Sequence, residues 1–149
     1  NHDVQRLLGS KPHFEDENLT KIVVEFMKLR LQNCPDIKVC DYADVVIENI
    51  CGVNVMFEHG QDKDLKETVE FFSNLYNTDV DEIWAGHLHR PESMSIGVTE
   101  LGDRVVNRVG SICGVDPYSK KIRKAARPSA TVAIYTEDEG KTWQRQYYL

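Results

Sequence analysis

Apolar positions in the stretch KIVVEFMKLRLQN recur with a helical period. Ile22, Val23, Phe26 and Leu29, with Val24 beside them, alternate with charges. The spacing predicts a helix from about Asp16 to Gln32, capped by Asp16 or Asn18 and followed by Pro35. The pattern then changes. DVVIENI and VNVMFEHG are β-branched runs separated only by Cys51-Gly52, which predicts two strands joined by a tight turn. VNVMFEHG is apolar at nearly every position, as expected of a central strand covered on both faces. DLKETVEFFSNLY returns to helical spacing through Leu65, Val69, Phe72 and Leu75, and DEIWAG predicts a short buried strand with Trp84 in the core. SMSIGVTELGDRVVNRVGSICG predicts short strands turning at Leu101-Gly102-Asp103. SATVAIYTEDEGKTWQRQYYL predicts a final hairpin turning at Asp138-Glu139-Gly140 and ending at Tyr147 and Tyr148. Helix and strand alternate first and strands dominate last, so the class is α/β.

Composition narrows the picture without choosing a function. The 149 residues suffice for one domain with one core, and nothing in them reads as a repeat or a linker. An apolar share of 41%, a charged share of 28% and a net charge of -6 are ordinary for a globular protein. They argue against general attraction to nucleic acid or membrane by the whole surface, though not against a local basic site. No apolar run is long enough to span a bilayer. Cys34, Cys40, Cys51 and Cys113 contain no C-x-x-C pair and, with no secretory leader in view, read as reduced thiols of a cytoplasmic protein.

The chemistry concentrates in histidines. Four of the five occur in NHD, FEHGQ and GHLH; His13 stands in a loop without a partner. His59, His87 and His89 each follow an apolar run at a strand end, where α/β folds place their chemistry. Neutral imidazole is the commonest metal ligand, and two in close succession serve one ion or two adjacent ions. Gly86 permits a sharp turn and a close backbone approach. Asp3 beside His2 would orient that ring and stabilise its protonated form.

Taken in order, NHD at Asn1–Asp3, HG at His59–Gly60 and GHLH at Gly86–His89 resemble the third, fourth and fifth motifs of the calcineurin-like metallophosphoesterases. The resemblance runs from Asn1 to about Pro91, and NRVGSICG looks like the glycine-serine loop that often follows. It implies a four-layer αββα sandwich holding two divalent ions, Mn, Fe or Zn. By motif, Asn1, His59 and His87 would hold one ion and His89 the other. His2, partnered by Asp3, would stabilise the transition state or protonate the leaving oxygen. The implied reaction is hydrolysis of a phosphomonoester or phosphodiester by a dimetal-bound hydroxide. The family's first two motifs, D-x-H and G-D-x-x-D, are absent, so the chain resembles the C-terminal part of such a domain, inactive alone.

Lys120, Lys121, Arg123, Lys124 and Arg127 form a basic run in an acidic protein. Two readings stand: contact with a substrate phosphate or nucleic acid, and a solvated surface. The whole chain likewise admits a second reading, a binding module without hydrolysis that contacts nucleic acid or a protein. Loss of the N-terminal strands is expected to leave VNVMFEHG or DEIWAG with an unpaired edge, covered by the missing segment or by self-association.

Overall fold

Cys51 and Gly52 have φ of 51° and 85°, the paired left-handed conformation that a two-residue hairpin turn requires. In the computed structural model they join β1 (Val45–Ile50) to β2 (Val53–Glu58), as the sequence predicts. The structure describes residues 19–41, 43, 45–60, 64–115, 120–121 and 126–149. The chain divides into two compact units, residues 1–44 and 45–149.

The first unit contains α1 (Leu19–Leu31). The predicted helix is present from Leu19, and its predicted caps, Asp16 and Asn18, lie outside the described residues. Past its end, the Cys34 N–H donates to the Leu31 carbonyl at 2.8 Å. Lys28 donates to Asp41 and, at 2.7 Å, to Glu25. The Asp41 carboxylate, and Glu25 after it, raise the Lys28 ammonium above its usual range.

In the second unit, β2 is followed by α2 (Leu65–Tyr76) and β3 (Glu82–Ala85). Asp64 caps α2 by accepting from the Lys66 and Glu67 N–H groups at 3.0 and 3.1 Å. Asn77 closes it in the left-handed conformation. Then come β4 (Glu92–Thr99), β5 (Gly102–Arg108), β6 (Ser129–Thr136) and β7 (Gly140–Tyr148). The first five strands form a mixed sheet in the order β1-β2-β3-β5-β4, with β2, β3 and β5 parallel to one another. β6 and β7 form a separate antiparallel hairpin.

The register decides which residues share a face. Ile47, Met56, Ile83 and Val106 lie in one row across β1, β2, β3 and β5. Met56, Ile83 and Val106 join Leu65 and Val69 of α2, with Val80 and Ala85, in the apolar core, and Ile47 and Phe72 pack against it half-buried. Burying Met56 or Ile83 completely stabilises the fold by about 1.5–3 kcal/mol each. The opposite row contains Phe57, Trp84 and Asn107. Glu82, one pleat away on that face, accepts from Asn107, from Lys141 of β7 and, at 2.6 Å, from the Tyr135 hydroxyl of β6. Trp84 Nε1 donates to the same hydroxyl at 3.0 Å. The sheet thus carries a helix on one face and the hairpin on the other.

Three expectations change. β2 and β3 are not edge strands, because β1 covers the free side of β2 and β5 the free side of β3. Among the described strands the edge positions of this sheet fall to β1 and β4. The β4–β5 turn lies at Glu100-Leu101, since Gly102 and Asp103 already pair with Thr99 and Val98. Trp84 is half-buried under the hairpin rather than inside the apolar core. β2 is central, as predicted, with Val55 and Met56 fully buried.

Candidate metal centre at the strand ends

His59 directly follows β2, and His87 stands two residues past β3, its parallel neighbour. Both strands run in the same direction, so their C-terminal loops emerge side by side. The loops meet backbone to backbone. A Cβ on Gly60 would stand 2.8 Å from the Ala85 Cβ and 3.1 Å from the Gly86 nitrogen. A Cβ on Gly86 would stand 3.3 Å from the His59 carbonyl oxygen. Gly60 also has a φ of 80°, a conformation glycine adopts without strain. Two side chains that do not exist therefore let the loops close on each other.

The result is a direct contact between the imidazoles. His87 Nδ1 and His59 Nε2 are 2.9 Å apart, with one ring donating and the other accepting. The rings meet edge to face, with centroids 4.9 Å apart. His87 and His89 have φ of 57° and 53°, left-handed positions that cost side chains with a Cβ about 1–3 kcal/mol each. The Leu88 N–H reaches back to the Gly86 carbonyl at 2.7 Å, closing a tight turn centred on His87. Strained backbone is thus concentrated on both histidines of GHLH.

The donor set can be tested against a divalent ion. Two nitrogens about 2.05 Å from one ion stand about 2.9 Å apart at a right angle and about 3.3 Å apart in a tetrahedron. The observed 2.9 Å lies at the short end of that range. The pair fits two adjacent positions of a coordination sphere once the proton between the nitrogens is displaced. Among the described residues no three of His, Cys, Asp and Glu are grouped to hold one ion. Asn1, His2 and Asp3 lie outside the described residues. His89 is on the same loop as His87 and is not grouped with the pair.

Of the basic run, Lys120, Lys121 and Arg127 are exposed, and Arg123 and Lys124 lie outside the described residues. The Arg127 guanidinium stacks over the Tyr148 ring, 4.9 Å from its centroid. Sequence reasoning missed a different cation. Arg108, the last residue of β5, is only 8% exposed and donates through Nη1 to the Gly60 carbonyl at 3.4 Å. The signal was available: Arg108 is two residues from Val106 and hence in phase with the buried face of its strand.

Comparison with known proteins adds a distant relative. No family model matches the chain. The SPβ prophage-derived protein YonJ of Bacillus subtilis strain 168 is 22% identical over 152 residues, covering all of the chain and 38% of YonJ. The chain therefore spans well under half the length of that relative. Among solved structures, Vps29 of Entamoeba histolytica, crystallised with Zn²⁺, is 15% identical and covers 76% of the chain and 66% of its own length, with a TM-score of 0.47. Vps29 of Cryptosporidium parvum is 16% identical and covers 87% and 77%, with a TM-score of 0.45.

Proposed function

We propose that the chain is the C-terminal part of a metal-dependent phosphoesterase domain, carrying half of a dimetal site and inactive in isolation. The observation that carries this reading is the His59–His87 contact at the ends of two adjacent parallel strands. The order of NHD, HG and GHLH along the sequence supports it.

In this reading His59 and His87 would hold one divalent ion with Asn1, and His89 would hold the second. A bound divalent ion supplies Lewis-acid polarisation of a phosphoryl oxygen and acidifies water held beside it. The chain's own contribution is orientation and proton handling. The glycine contacts fix the two imidazoles before any ion arrives, which lowers the ordering cost of binding. His2 donates a proton to the leaving oxygen, with Asp3 holding its ring. Lys120, Lys121, Arg123, Lys124 and Arg127 attract the phosphoester, a monoester, a diester or nucleic acid.

The test is hydrolysis by the full protein as its gene encodes it, with Mn²⁺, of an aryl phosphodiester, an aryl phosphomonoester and DNA. Activity on at least one substrate, reduced at least 100-fold by His87→Ala, is expected. A folded full protein with no hydrolysis of any of the three would move the assignment to a binding module that retains the fold.

A further inference from the structure

β5 ends on a cation buried against the histidine loops. Arg108 is 8% exposed. In the ladder it pairs with Ala85 on β3 and with Glu92 on β4. Ala85 is two residues before His87 and Glu92 three residues after His89, so the histidine loop begins and ends on the neighbours of Arg108. Its guanidinium also touches the loop of the other histidine, through the Gly60 carbonyl at 3.4 Å.

Among the described residues the guanidinium makes that one long hydrogen bond, which takes up little of its donor capacity. A guanidinium has five N–H donors and does not lose its charge. Among the described residues no carboxylate forms an ion pair with Arg108, although Glu92 stands directly across the ladder. Arg104, in the same strand and on the same face, shows the contrast: it pairs with Asp79 and donates to the Val80 carbonyl at 2.7 Å. A cation taken out of water without an opposite charge is costly, and the cost falls when an anion enters.

We propose that Arg108 is the anion-binding residue of the strand-end site, taking a tetrahedral oxyanion, the phosphoryl group of a phosphoester, beside His59 and His87. Its planar fork matches two oxygens of such a group. The choice of a phosphoester rests on the phosphoesterase reading above; oxyanion binding by Arg108 itself requires no metal.

The experiment is titration of the chain with inorganic phosphate at constant ionic strength, without divalent ions, read by ³¹P line shape and by the thermal midpoint. Wild type, Arg108→Met and Arg108→Lys are compared. Phosphate is expected to raise the wild-type midpoint, to bind about tenfold more weakly to the Lys variant, which lacks the fork, and to leave the Met variant unmoved. In phosphate-free buffer the Met variant is expected to be at least as stable as wild type. Equal phosphate affinity in wild type and Arg108→Lys, or in wild type and Arg108→Met, overturns the proposal. So does a wild type insensitive to phosphate beside a destabilised Met variant, which would make Arg108 a loop brace. If the Met variant does not fold, the Lys variant decides by the same criterion. A parallel Mn²⁺ titration separates the two readings: phosphate binding without ion binding defeats only the phosphoesterase reading, and ion binding without phosphate binding defeats only this one.

Discussion

Gly60 governs how closely the two imidazoles approach. Its φ of 80° and the 2.8 Å that would separate an added Cβ from Ala85 act together, so Gly60→Ala must both strain the backbone and part the loops. A loss of about 1–3 kcal/mol is expected from chemical denaturation. The imidazole ¹⁵N resonances of His59 and His87 are expected to lose their mutual contact. A variant as stable as wild type with both resonances unchanged would show that the loops do not depend on that close approach. Tyr135 offers a test on the other face of the sheet. Burial first, and then the Glu82 carboxylate, push its phenol well above the usual range, against the smaller opposing effect of the Trp84 N–H. The unfolded chain releases this proton near pH 10, the folded chain at higher pH. Above about pH 10 the folded state therefore binds more protons, and stability falls as pH rises; below it the contribution is fully present. Between pH 9 and 11 the thermal midpoint of wild type is expected to fall more steeply than that of Tyr135→Phe. Parallel curves would contradict the assignment.

The β1–β2 hairpin shows at the level of an element how local chemistry sets register. With φ of 51° at Cys51 and 85° at Gly52, the turn takes asparagine better than cysteine at its first position and glycine alone comfortably at its second. Gly52→Val is expected to cost about 1–3 kcal/mol, and Cys51→Asn to raise the urea midpoint. No change in either variant would mean that the turn does not hold the hairpin. This element was legible because the determining residues are adjacent. α2 was legible from Leu65, Val69 and Phe72, and β3 from its short apolar run. The histidine pair was legible only through its motifs, since 28 residues separate the partners and a shared period does not predict that their strands are neighbours. The cluster at Glu82 was not legible, because Tyr135 and Lys141 stand 53 and 59 residues away on a different sheet. Arg108 was missed for another reason: a charged residue closing a strand reads as solvent-facing unless its phase with Val106 is followed. The expected open edge on β2 or β3 failed because β1 folds back on β2 and β5 inserts beside β3, pairings that depend on the whole sheet.

Residues 45–149 form a sheet with two differently built sides, α2 on an apolar core and the β6–β7 hairpin on a buried polar cluster. The candidate site lies at the end where β2, β3 and β5 terminate together. Among the described residues no helix is long and apolar enough to cross a membrane. His59 and His87 are proposed to form one half of a divalent-ion site. The direct measurement is a titration of the chain with Mn²⁺ or Zn²⁺, followed by long-range ¹H–¹⁵N spectra of the imidazoles and by calorimetry. One weakly held ion per chain is expected, with the His59 and His87 resonances moving or broadening together and binding abolished by His59→Ala. An ion that perturbs one of these rings without the other, two tightly held ions, or no effect on either ring at millimolar concentration would contradict it.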